Sequence, residues 1–152
     1  MDLYIKMLET NLQRIIKDIG DLTQEQSLIT CVPGGSNANW LVGHLIHYRC
    51  EILRASGNEA PWGPEMSTRY GYGSTAPQRD QAESFKKLIE IFKSTQALVS
   101  QALKGLTESD IDKALSEEDG HRLEFLVLQH ETLHSGQAVL YQRVAHHASE
   151  NH

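Results

Sequence analysis

Apolar residues recur in steps of three and four along four separate segments of this chain, and no segment alternates apolar and polar residues as a strand would. The first segment carries Ile5, Leu8, Leu12, Ile15, Ile19 and Leu22, and Gly20 with Asp21-Leu22-Thr23 ends or bends it. The second opens at Trp40, repeats at Leu41, Leu45, Tyr48, Ile52 and Ala55, and stops at Gly57. The third, from about Arg79 to Leu103, shows Phe85, Leu88, Phe92, Thr95, Val99 and Ala102 on one face and is closed by Gly105. The fourth follows Gly120 and runs from about Arg122 to His146, before a polar tail of Ala148-Ser149-Glu150-Asn151-His152. Amphipathic helices without a sheet can bury their stripes only against one another. The spacing therefore predicts an all-α fold, a four-helix bundle, with residues 1–152 forming one domain.

The connections narrow the wiring. Cys31 to Asn39 is punctuated by Pro33, Gly34, Gly35, Ser36 and Asn37, a loop ending in good helix-capping residues. Asn58 to Pro77 is a long stretch interrupted by Pro61, Gly63, Pro64, Gly71 and Gly73, and a structureless loop of that length is either functional or a crossover. Simple up-down-up-down wiring is therefore not required. Thr107 to Leu115 adds a short turn of helix. A faint echo relates Gly20-Asp21-Leu22-Thr23-Gln24-Glu25 to Gly105-Leu106-Thr107-Glu108-Ser109-Asp110, a similarity that chance alone would supply.

Bulk properties exclude several functions. The net charge is −6 and no basic stripe stands out, which argues against a nucleic-acid partner. No apolar run approaches the roughly 20 residues of a membrane helix, and Met1-Asp2-Leu3-Tyr4-Ile5-Lys6 is no signal peptide. Cys31 and Cys50 form no close pair, which fits a reducing, cytoplasmic setting.

Chemistry concentrates in the histidines. His130 and His134 lie four apart, one turn above each other on a helix. In the second helix, His44 shares the apolar stripe of Leu41, Leu45, Tyr48 and Ile52, whereas His47 is turned toward Gly43, Glu51 and Arg54. His44 is therefore the expected third member. A lone core-facing histidine is usually satisfied by a hydrogen bond. Three on facing helices favour a shared divalent ion, and three protein ligands leave a position open for water or substrate.

Two alternatives fail on their own requirements. His130-Glu131-Thr132-Leu133-His134 matches the metalloprotease signature. The extended form of that signature, however, needs a glycine and a further histidine where Gln137 and Leu140 stand. Only 18 residues follow His134, too few for a ligand on a further helix, and no strand is expected to hold a peptide. A ferritin-like di-metal site needs Glu-x-x-His on two helices. Glu131 to His134 supplies one, while Glu118 to His121 crosses Gly120.

Asn39-Trp40-Leu41-Val42-Gly43-His44-Leu45, with His130-Glu131-Thr132-Leu133-His134-Ser135-Gly136-Gln137 far downstream, resembles the DinB/YfiT-like damage-inducible superfamily. The resemblance implies up-down-down-up wiring, with Asn58–Pro77 as the crossover, and a homodimer. It also implies one divalent ion, zinc or nickel, held by His44, His130 and His134. Relatives with assigned activities include S-transferases and isomerases that use low-molecular-weight thiols such as bacillithiol and mycothiol; others are grouped as metal-dependent hydrolases.

The expected function is a metal-dependent enzyme of thiol-transfer or hydrolytic type acting on a small molecule. The alternative is a non-catalytic, stress-related metal-binding or dimerisation bundle. Gln137 is a candidate hydrogen-bond partner of a ligand histidine, and Tyr48 a candidate pocket wall. Glu131 points off the histidine face, so a solvated or supporting role fits it better than that of general base. Trp40 and the loop Arg69-Tyr70-Gly71-Tyr72-Gly73 are candidates for a substrate mouth. Cys50 is expected to be packed, and His146, His147 and His152 to lie on the surface.

Overall fold

A computed structural model describes residues 1–118 and 122–150, so Gly120, His121 and His152 lie outside the described residues, as does the close of the Glu118–His121 motif. Every element among the described residues is helical, and none is a strand. The helices are α1 (Asp2–Ile19), α2 (Gln24–Ser27), α3 (Ala38–Ala55), α4 (Pro64–Tyr70), α5 (Phe85–Leu103), α6 (Glu108–Glu118) and α7 (Thr132–Glu150), with a π-helical turn (Phe125–Glu131) leading into α7. The long members are α1, α3, α5 and α7. α3 packs on α5 and touches α7, while α1 lies against both α5 and α7.

α1 buries Leu8, Ile15 and Ile19 of the stripe its spacing predicts, with Tyr4 and Asn11 beside them, while Ile5 and Leu12 are only half-buried. α3 differs, because it is buried on nearly every side, including His44, Arg49 and Glu51. Its start is fixed by Asn37, whose side chain accepts from the Trp40 N–H at 2.9 Å. Leu41, Leu45 and Ile46 of α3 join Phe85, Leu88 and Phe92 of α5 in one apolar cluster. Each such buried side chain contributes about 1.5–3 kcal/mol through lost contact with water.

Four expectations about element boundaries need correction. The 58–77 connection is not structureless, since Pro64 starts the short helix α4 in the position where proline suits a helix best. α5 begins at Phe85, not near Arg79. Glu83 is engaged through its backbone: its N–H donates to the Tyr70 hydroxyl at 3.0 Å and its carbonyl accepts from Asn39 at 2.9 Å. Ser84 then caps the helix by accepting from the Lys87 N–H. The turn expected at Thr107 to Leu115 is an eleven-residue helix, α6. α7 continues through His146 to Glu150, and its approach is the π turn, where the spacing predicts an uninterrupted α-helix from about Arg122.

Both stretches of the echo, 20–25 and 105–110, contain the threonine of a helix-capping box, at different distances from the glycine. Thr23 and Gln26 form a reciprocal capping box at α2. Thr107 and Asp110 do the same before α6, with the Thr107 N–H donating to the carboxylate and the Asp110 N–H to the hydroxyl.

Candidate metal centre

The Asn39-Trp40-x-x-Gly43-His44 face of α3 is a seat for Tyr70, the last residue of α4. Gly43 leaves room for the ring: a Cβ there would lie 2.2 Å from Tyr70 Cδ1. The Tyr70 hydroxyl donates to Asn39 Oδ1 at 3.0 Å, and its backbone carbonyl faces His44 Nδ1 at 2.7 Å. A carbonyl can only accept, so Nδ1 of His44 carries the ring proton and Nε2 of the neutral ring is bare. Trp40 stacks on the same imidazole at 4.2 Å between centroids, which fixes its plane.

α7 repeats this arrangement with different parts. Nδ1 of His134 is 2.7 Å from Oε1 of Gln137, one turn on, so the His134 proton is committed there and its Nε2 is also bare. Nε2 of His130, at the end of the π turn, lies 3.1 Å from Nε2 of His44 and 3.1 Å from Nε2 of His134. The three donor atoms lie within 4.8 Å of one another. His130 can offer one Nε2 proton at most, so one of its two nitrogen contacts sets lone pair against lone pair. A cation among the three nitrogens removes that conflict. Zn–N bonds of about 2.0–2.1 Å in a tetrahedron space their nitrogens about 3.3–3.4 Å apart, close to the separations found. The donor set therefore fits a divalent ion.

Burial tunes the same rings for metal. His44 is pushed down to about 4, because burial outweighs the Tyr70 carbonyl bond that favours its charged form. His134 is lowered by burial too, against the opposing pull of Gln137. Both are neutral at pH 7, the form a metal needs.

Above the histidines lies a cavity of about 340 Å³, lined by Trp40, Tyr48, Tyr72, Gly73, Ser74, Phe125 and the three imidazoles. Tyr72, 89% exposed, stands at its mouth, and Trp40 is anchored there by donating from Nε1 to Ser74 Oγ at 2.9 Å. Among the described residues, none that lines it carries a carboxylate, ammonium or guanidinium.

The structure sorts the remaining candidates. His47 stays outside the histidine group, with Nδ1 3.8 Å from Glu51. Tyr48 lines the cavity, its ring edge-on to His44 and 4.3 Å from His130 between centroids. Gln137 makes the histidine contact its position suggested. Glu131 is not solvated: it is 3% exposed, and both carboxylate oxygens rest on the Arg49 guanidinium. Cys50 is packed as expected, its thiol pushed up to about 12 by burial. His146 and His147 are exposed.

Sequence reasoning missed Arg49 altogether; it named Asn39 and Gly43 only within a motif, and Tyr70 only within the mouth loop, without the contacts they make. Arg49, Asn39 and Gly43 stand on a helix with almost no exposed side, which is the available signal that their polar or missing side chains have internal partners.

An all-helical fold with three imidazole nitrogens converging beneath an aromatic cavity defines a class, the helical proteins with a three-histidine group that could hold a metal ion. The chain matches the DinB superfamily over residues 7–138 and belongs to that superfamily. The matched span takes in His44, His130, His134 and Gln137. No curated protein matches the chain. No helix among the described residues is long and apolar enough to cross a membrane.

Proposed function

We propose that this chain is a metal-dependent enzyme of thiol S-transferase type, holding one divalent ion, zinc or nickel, through Nε2 of His44, His130 and His134. The observation that carries the reading is the convergence of those three nitrogens while the Nδ1 atoms of His44 and His134 are held by Tyr70 and Gln137. The supporting scaffold is a four-helix bundle of up-down-down-up wiring, with the connection containing α4 as its crossover.

A bound divalent ion acidifies a thiol or water at its open position and so supplies a nucleophile at neutral pH. The chain's own residues do the rest. Tyr70 and Gln137 hold the imidazole protons on Nδ1, and Trp40 fixes the His44 plane. The aromatic walls limit water and favour a small substrate with a largely apolar body. A cavity at the open side supports an enzyme over a purely stabilising metal site. The described lining is mostly apolar and aromatic, which suits conjugation of a thiol to an apolar electrophile. A homodimer is supported by α7, where Leu133, Gly136 and Leu140 form an exposed apolar strip. A cytoplasmic setting, with its low-molecular-weight thiols, suits the proposed activity.

The test is a panel of bacillithiol, mycothiol, glutathione and coenzyme A against a chromogenic electrophile, with zinc-loaded, nickel-loaded and metal-free protein. Metal-dependent conjugation with at least one thiol, lost in His134→Ala, is expected. Metal-dependent ester cleavage without any thiol reaction would move the assignment to hydrolase. No metal-dependent turnover of either kind would favour the non-catalytic bundle.

A further inference from the structure

Among the described residues, the largest fully buried side chain is a charged one, Arg49. Each of its five N–H groups has an acceptor. Nε donates to Glu131 Oε2 at 3.0 Å and Nη2 to Glu131 Oε1 at 2.7 Å, a bidentate pair. Nη2 also donates to the Leu8 carbonyl of α1 at 2.8 Å. Nη1 donates to Thr95 Oγ1 at 3.2 Å and Gln96 Oε1 at 3.1 Å, both on α5. The Phe92 ring lies 4.5 Å from the guanidinium carbon. One side chain of α3 thus ties α1, α5 and the π turn together.

Stability alone does not account for this arrangement, because a buried ion pair gains little over well-packed apolar residues of the same volume. What the pair does fix is register. Glu131 is the last residue of the π turn, and the residue before it is His130. A π turn closes its hydrogen bonds five residues apart instead of four, and it is rare in helices outside short bulges. Support comes from two directions here. Glu131 is clamped by Arg49. Next to it, the Thr132 hydroxyl donates to the Val127 carbonyl at 3.3 Å and accepts from Asn11 Nδ2 at 3.2 Å. If the turn relaxed to α-helix, the direction of His130 would rotate relative to His134 and α3.

We propose that Arg49 is a positioning residue for the histidine site: its bidentate grip on Glu131 holds the π turn in the register that aims His130 at His44 and His134. The role is indirect, since neither Arg49 nor Glu131 lines the cavity. The consequence for metal affinity rests on the metal reading above, whereas the aim of His130 does not.

The experiment compares wild type with the double variant Arg49→Met/Glu131→Met, which removes both charges and keeps the volume, and with Glu131→Gln, which keeps the shape. Three quantities are read: the unfolding midpoint, histidine-ring NMR of the metal-free protein, and zinc affinity against a chromophoric chelator. The expected result is a folded double variant whose His130 ring signals move while those of His146 and His147 stay. Its zinc affinity should fall by about 10–100-fold, the usual loss when support behind a ligand is removed. Glu131→Gln should shift the same ring signals by less, and it decides the matter if the double variant does not fold. Unchanged His130 signals in a folded variant would overturn the positioning role. Wild-type protein that takes up no zinc, with His130 signals still moving in the variants, would instead refute the metal reading and leave the positioning role standing.

Discussion

Two polar clusters cross from α3 to consecutive residues of the π turn, and they are built on opposite principles. In the Arg49–Glu131 cluster every guanidinium N–H meets an acceptor, Arg49, Glu131 and Thr95 are buried, and the carboxylate and guanidinium neutralise each other. In the histidine cluster three nitrogens face one another with too few protons among them, beneath a cavity. Fully satisfied polar groups rigidify a core, and unsatisfied ones mark where a ligand completes the structure. The contrast assigns rigidity to residue 131 and ligand capture to residue 130.

Substitutions that break the closed cluster should give the largest loss of stability. Glu131→Ala strands the Arg49 charge in the core and should cost about 3–5 kcal/mol, measured by urea unfolding of metal-free protein. Gly43→Ala comes next. Its Cβ would collide with the Tyr70 ring, and the repacking should cost about 1–3 kcal/mol. Because Tyr70 also holds His44, that variant should lose metal affinity as well, which isothermal titration would register. Gln137→Leu belongs to the open cluster alone. It should leave the unfolding midpoint near wild type while lowering metal affinity about tenfold, since the His134 tautomer is no longer held.

A further effect is a pH dependence confined to the metal-free protein. His44 titrates near 4 in the fold against an ordinary value of 6.5, and His134 is shifted in the same direction. Unfolding below pH 6.5 therefore takes up protons that the folded state refuses. Their contribution is fully present above about pH 6.5 and is lost as the pH falls toward 4. Urea midpoints at pH 7 and pH 5 check it: His44→Leu should flatten the slope, and an equal slope in wild type and variant would remove His44 from the account.

How much of this the sequence discloses follows from what periodicity can and cannot encode. The long helices are legible because Leu8, Ile15, Leu88 and Phe92 recur at helical spacing and are buried where that spacing puts them. His44, His130 and His134 are legible because only a face-to-face arrangement gives three inward histidines a common purpose. The π turn is not legible, since Leu123, Leu126 and Val127 suit an ordinary helix equally well. Arg49 escapes for a related reason: a stripe analysis assigns charged residues to the wet face, and α3 has almost none. Glu131 is misplaced by the same assumption. Tyr70 sits in a stretch rich in glycine and proline, where nothing in the local pattern announces a buried ring whose carbonyl would orient His44.

The central claim, that His44, His130 and His134 together hold one divalent ion, is tested most directly by metal analysis of untagged protein purified without chelator. His44→Ala and His130→Ala should be analysed beside wild type. The account predicts close to one equivalent of zinc or nickel per wild-type chain and almost none in either variant. Equal metal content in all three proteins, or none in the wild type after incubation with either ion, would contradict it.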